Sequence, residues 1–147
     1  MVIRTMIGLD TNVLVRLFAH DGDAQSELAR DVLDTLSPAF PGFVSVVVVA
    51  ELVWVLARSY RASRTEVRRA VRALLDAPSF IVEAYEVVER ALKRYATTAC
   101  DFADCLVACT AAEKGCRTTL MFDRRAARNE GFFLLTGPYP MGYSQLV

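Results

Sequence analysis

Short apolar runs alternate along the chain with longer stretches of helical period. Ile3 to Leu9 forms an apolar run suited to a buried strand, and it stops at Asp10-Thr11-Asn12. Val13, Leu14, Leu17 and Phe18 then recur at helical spacing. A second helix is expected from Asp23 to Leu36, with Ala24, Leu28, Val32, Leu33 and Leu36 on one stripe. Pro38, Pro41 and Gly42 interrupt the pattern. Beyond them Val44 to Val48 has the β-branched content of a strand, and Ala50 to Tyr60 has the period of a helix. Further helices are predicted over Arg64–Asp76, Glu86–Tyr95, Phe102–Lys114 and, briefly, Arg124–Asn129, and strands over Phe80–Val82, Thr118–Phe122 and Phe132–Leu135. This alternation predicts an α/β fold in which a central parallel sheet is covered on both faces. No repeat or linker divides it, so residues 1–147 read as a single domain with an irregular tail over 136–147.

Composition narrows the function classes. At 147 residues, 54% of them apolar and 23% charged, the chain can bury a core and is not intrinsically disordered. Lys plus Arg and Asp plus Glu each number 17, so the net charge is zero. That excludes the strongly basic domain of a general nucleic-acid binder, though not a local basic face. Two basic segments are present: Arg58, Arg61, Arg64, Arg68, Arg69 and Arg72 against the single acid Glu66, and Arg124, Arg125 and Arg128 beside Asp123. The longest apolar run, Phe43–Ala57, falls short of the roughly 20 residues of a membrane span, and Met1 to Met6 lacks the form of an export leader. A cytoplasmic location without membrane partners is expected, with reduced cysteines. Cys100, Cys105, Cys109 and Cys116 contain no C-x-x-C pair and lie far from the single His20, so core packing is their expected role rather than zinc binding.

The acids carry the chemistry. Sites in parallel sheets gather at the carboxyl ends of the strands, which singles out Asp10 and Asp123. Glu51 is the only charged residue in the Phe43–Ala57 run. A lone buried carboxylate neutralises, pairs or meets a cation, so Glu51 is expected to face inward or toward a cleft wall. Asp101 and Asp104 are three apart at a helix start and share a face. Each acid also has a local reading: Asp10 or Thr11 as a helix cap, Asp101 as a cap with Asp104 in the first turn, Glu51 as an arginine partner or a solvated residue, Asp123 in a salt bridge to Arg124 or Arg125. Should the sheet gather them, two charges ~4 Å apart repel by about 4 kcal/mol at an effective dielectric of about 20. A hard divalent cation relieves that repulsion, and oxygen-only donors favour Mg²⁺ or Mn²⁺.

In order and spacing, Gly8-Leu9-Asp10-Thr11-Asn12-Val13-Leu14, Ala50-Glu51-Leu52, Asp101-Phe102-Ala103-Asp104-Cys105-Leu106 and Phe122-Asp123-Arg124 resemble the PIN-domain ribonucleases, most closely the VapC-type toxins of toxin–antitoxin pairs. The resemblance runs over about residues 6 to 135. It implies a three-layer α/β/α sandwich and metal-dependent endonucleolytic cleavage of RNA (tRNA, rRNA or mRNA), with an antitoxin partner and a homodimer. Carried over by position, the family's acidic quartet falls on Asp10, Glu51, Asp104 and Asp123, with Asp101 accessory, and Thr11 and Asn12 orient Asp10 or contact phosphate. Arg58, Arg61, Arg124 and Arg125 are then candidate RNA or partner contacts. Met121 departs from the pattern, since the family commonly has Thr or Ser two residues before the last aspartate, and this puts support of Asp123 in question. Two other enzyme readings and one non-enzymatic reading compete: a HAD-type phosphatase, which wants an aspartate where Asn12 stands, a housekeeping RNA-processing nuclease, and a non-catalytic PIN-like binding module.

Overall fold

Ser45 sets the point at which the long apolar run turns from strand to helix. In the computed structural model, which describes residues 5–19 and 22–139, the Ser45 hydroxyl accepts a hydrogen bond from Val48 N at 3.2 Å. It thereby caps a helix that begins at Val46. The run Val46–Val49 is helical although its β-branched content predicts strand, because the cap and the burial of Val49, Leu52, Val53 and Leu56 outweigh a weak local preference. Ile3, Arg4, His20 and the tail beyond Tyr139 lie outside the described residues.

In chain order the elements are β1 (Ile7–Gly8), α1 (Thr11–Phe18), α2 (Ala24–Thr35), β2 (Gly42–Val44), α3 (Val46–Ser59), α4 (Arg64–Asp76), β3 (Phe80–Val82), α5 (Tyr85–Thr97), α6 (Phe102–Glu113), β4 (Thr119–Met121), a 3₁₀ turn (Ala126–Arg128) and β5 (Phe132–Leu134). Helix α4 starts on a capping box, in which Ser63 accepts from Glu66 N and Glu66 accepts from Ser63 N. All strand pairs among the described residues are parallel, as expected of an α/β fold. Hydrogen bonds join them in two groups, β1-β2-β3 and β4-β5.

The core is one continuous cluster that takes Val44 from β2, Val49 and Leu52 from α3, Val67 and Leu74 from α4, Val88 from α5, and Phe102 and Cys105 from α6. Cys100, Cys105 and Cys109 are buried, as the packing role requires, whereas Cys116 is exposed. Burial pushes the Cys105 thiol up to about 12, which keeps it protonated and unreactive. Among the described residues, no helix is long and apolar enough to cross a membrane.

Gly42 admits β1 against β2. A Cβ there would lie 2.5 Å from Leu9 Cδ1 and 3.0 Å from Leu36 Cδ1, and Leu9 is buried immediately before Asp10. Gly42→Ala is expected to destabilise the fold by roughly 1–3 kcal/mol through overpacking, seen as a lower midpoint in urea at unchanged slope.

Candidate active site

Asp10, Asp101 and Asp123 all stand where the chain passes from extended backbone into a helix or turn. Asp10 follows β1, whose extension is paired to β2 through Leu9 N to Phe43 O at 2.9 Å. It occupies the cap position of α1, yet its side chain makes no capping hydrogen bond. Asp101 occupies the cap position of α6 and likewise makes none. The capping reading of both carboxylates is therefore set aside, and both side chains are exposed.

Asp123 behaves differently. Its Oδ1 accepts from Arg125 N at 2.8 Å and Ala126 N at 3.0 Å, which closes the turn into Ala126–Arg128. It makes no salt bridge to Arg124 or Arg125 among the described residues, contrary to the plain alternative. These two backbone amides fix the Asp123 carboxylate, and Met121 packs against the core.

Asp104, half-buried on the first turn of α6, links these acids. Burial lifts its carboxyl above the ordinary aspartate range, and the charges of Asp101 and Asp123 lift it further. Segments about twenty residues apart thus place three carboxylates in one electrostatic neighbourhood. Helix α6 also packs against α3, and α3 against α1, so the helix carrying Glu51 lies next to both the helix carrying Asp104 and the helix that Asp10 precedes.

Glu51 departs from expectation. It is exposed rather than directed into the interior, on the face of α3 that also carries Val47, Trp54 and Arg58. The apolar neighbours that suggested burial are themselves in solvent, with Val47 68% and Trp54 60% exposed. Thr11 departs in the other direction. It is 1% exposed and its hydroxyl has no hydrogen-bond partner among the described residues, so it cannot touch a ligand at the surface. Asn12 can: it is exposed and lines a groove of about 430 Å³ between α1 and α2.

Of the arginines, Arg58 lines a cleft of about 180 Å³ together with Trp54, Ala103 and Asp101. Arg61, Arg124 and Arg125 are exposed. Arg64 has a role that its place in a charge run does not reveal. Its Nη2 donates to the carbonyl oxygens of Tyr95 at 2.6 Å, Thr98 at 3.0 Å and Cys100 at 3.0 Å. Its guanidinium also lies 3.7 Å from the Tyr95 ring centroid. Arg64 therefore holds the segment that delivers Asp101. No local signal identifies it, since its partners are 31 to 36 positions away in sequence.

The donor set suits a hard divalent ion in kind. Every carboxylate named is an oxygen donor, three of the four cysteines lie in the core, and Asp104 is raised by burial and by like charges that a cation would neutralise. Among the described residues, no three His, Cys, Asp or Glu side chains stand close enough together to hold one ion.

A family model for the PIN domain matches residues 7–131. A VapC ribonuclease from Aquifex aeolicus (strain VF5) is 26% identical over 117 residues, which cover 80% of this chain and 87% of the relative. Among solved structures, the VapC20 toxin of Mycobacterium tuberculosis, which cleaves the sarcin–ricin loop, aligns at 22% identity with a TM-score of 0.41. That match covers 84% of this chain and 94% of the toxin.

Proposed function

The chain belongs to the PIN domain family, and from that premise we propose that it is a Mg²⁺- or Mn²⁺-dependent endoribonuclease, the toxin of a toxin–antitoxin pair, hydrolysing phosphodiester bonds in cytoplasmic RNA. The observation that carries this reading is the match of residues 7–131 to the PIN domain, and Asp104, whose carboxyl is raised by burial and by Asp101 and Asp123, supports the metal part of it. Such a group lacks the counter-charge that a divalent ion brings. Asp10 and Asp104 would be the first ligands, with Asp123, Glu51 and Asp101 completing the set. When bound, the ion supplies Lewis-acid stabilisation of the negative charge that develops on the phosphate.

The chain's own residues do the rest. Glu51, exposed on the helix whose Trp54 and Arg58 line the cleft with Asp101, orients the attacking water. Thr11, buried and without a hydrogen-bond partner for its hydroxyl among the described residues, is left out of the ligand contacts, and Asn12 reaches phosphate. Arg58, Arg61, Arg124 and Arg125 bring exposed guanidinium forks to the RNA backbone or to a partner protein. Val107, exposed on α6, offers apolar surface for a second copy of the chain. The similarity to a VapC ribonuclease supports an antitoxin as the other partner.

Purified protein is expected to cut a structured RNA with Mg²⁺ or Mn²⁺, and to stop in EDTA and in the Asp10→Asn variant. Cleavage that continues unchanged in EDTA would overturn the metal-dependent reading. The lack of a ready three-carboxylate cluster among the described residues favours a second reading, a PIN-like module that binds RNA without cutting it. Its signature is RNA affinity with no metal-dependent cleavage across many substrates.

A further inference from the structure

Helices α4 and α5 pack together and leave a groove of about 330 Å³ between them, lined by Thr65, Arg68, Arg69, Arg72, Lys93 and Ala96 among others. Four cations from two helices share this concavity, in a chain whose total charge is zero. They are not equivalent. Arg72 is neutralised, 3.2 Å from Asp76 and 3.4 Å from Glu89. The side chains of Arg68, Arg69 and Lys93 form no ion pair or hydrogen bond among the described residues, and all three are exposed. Cations gathered in a groove without counter-charges repel one another and form a focused site for anions.

The position of the groove says which anion. Arg64 lies one helical turn, about 5.4 Å, before Arg68, and it grips the carbonyls of Tyr95, Thr98 and Cys100. The Thr65–Ala96 end of the groove therefore adjoins the segment that delivers Asp101. The positive groove and the carboxylates share this clamp. A single phosphate would need one cation pair at one point. Three unneutralised cations along a groove whose end adjoins the segment leading to Asp101 fit successive phosphates of one strand.

We infer that the α4–α5 groove, through Arg68, Arg69 and Lys93, binds the phosphate backbone of single-stranded RNA flanking the cleaved bond. This inference rests on the ribonuclease reading for the identity of the polyanion, and not for the existence of the cationic channel.

The test compares the wild type with the triple variant Arg68→Ala, Arg69→Ala, Lys93→Ala. A charge-keeping variant (Arg68→Lys, Arg69→Lys) and Lys114→Ala, outside the groove, serve as controls. Binding of a labelled mixed-sequence oligoribonucleotide is followed by anisotropy in EDTA across a salt series. Losing three contacts at about 0.7 per phosphate on a single strand makes the slope of log K against log salt shallower by about 2. The two controls keep the wild-type slope. With Mn²⁺ present, the triple variant raises KM for long RNA and leaves cleavage of a dinucleotide unchanged. Thermal melts check the fold, and the exposed positions are expected to leave them unmoved.

An unchanged salt slope in a folded triple variant overturns the proposal, and does so without touching the ribonuclease reading if that variant still cuts RNA. Loss of affinity for an acidic polyglutamate probe with RNA binding intact also overturns it, and assigns the groove to a protein partner. A wild type that binds RNA with the expected slope but never cuts it leaves the groove standing and ends the catalytic reading instead.

Discussion

Asp104→Asn is expected to remove RNA cleavage while leaving the fold at least as stable at neutral pH as the wild type. The two effects have one origin. Burial, then Asp101, then Asp123 hold the Asp104 carboxyl above the ordinary aspartate range. Its native pKa therefore exceeds its unfolded one. Between those two values the native state binds more protons than the unfolded state, so stability falls as pH rises through that window. Above the window the penalty is fully present, and a neutral asparagine does not incur it. Melting curves in EDTA should place the variant at or above the wild type at neutral pH, and the two should converge as acid protonates Asp104. Activity should fall by at least about a hundredfold, since even residues that merely support a metal ligand cost 10–100-fold when changed. A variant that cuts RNA at the wild-type rate would take Asp104 out of the catalytic set, and one that melts well below the wild type would make it structural.

The largest loss of stability is expected from Phe102→Ala. Phe102 is 2% exposed and opens α6 between Asp101 and Asp104. Its ring meets Tyr95 edge-on, with centroids 5.7 Å apart and planes at 89°. Tyr95 in turn carries the Arg64 guanidinium on its face. Truncation removes an aromatic pair and leaves a cavity under the first turn of α6, a loss of roughly 3–5 kcal/mol. For a domain of this size that corresponds to a fall in Tm of ~6–20 °C. Phe102→Leu refills most of the space and should recover more than half of the loss. Equal melting temperatures for wild type and Phe102→Ala would show that this ring is not part of the packed core.

The helical period places α4 over Arg64–Asp76, and the structure has it there, because the apolar stripe Val67, Ala70, Val71, Leu74 and Leu75 is the face that is buried. The same reasoning misplaces the start of α3. Four successive valines carry no period, and a single serine hydroxyl decides between strand and helix. Glu51 misleads for a related reason. Apolar neighbours imply burial only if they are themselves buried, and Val47 and Trp54 are not. The placement of Asp10 and Asp123 just after β1 and β4 is legible from the apolar runs that stop before them. The support of Asp123 is not, because its donors are main-chain amides that any sequence carries. The division of the basic run is also hidden. Arg64 and Arg72 serve the fold while Arg68 and Arg69 face the groove, and the partners that distinguish them lie on α5 and in the segment after it.

The grip of Arg64 on three carbonyls and one ring has a consequence for any attempt to build hybrids of this protein with its relatives. Transplanting the helix that bears residue 64 by itself would leave those carbonyl oxygens without a donor and the tyrosine without its cap. The tract from Arg64 to Cys100 must therefore move together if this clamp is to survive the exchange.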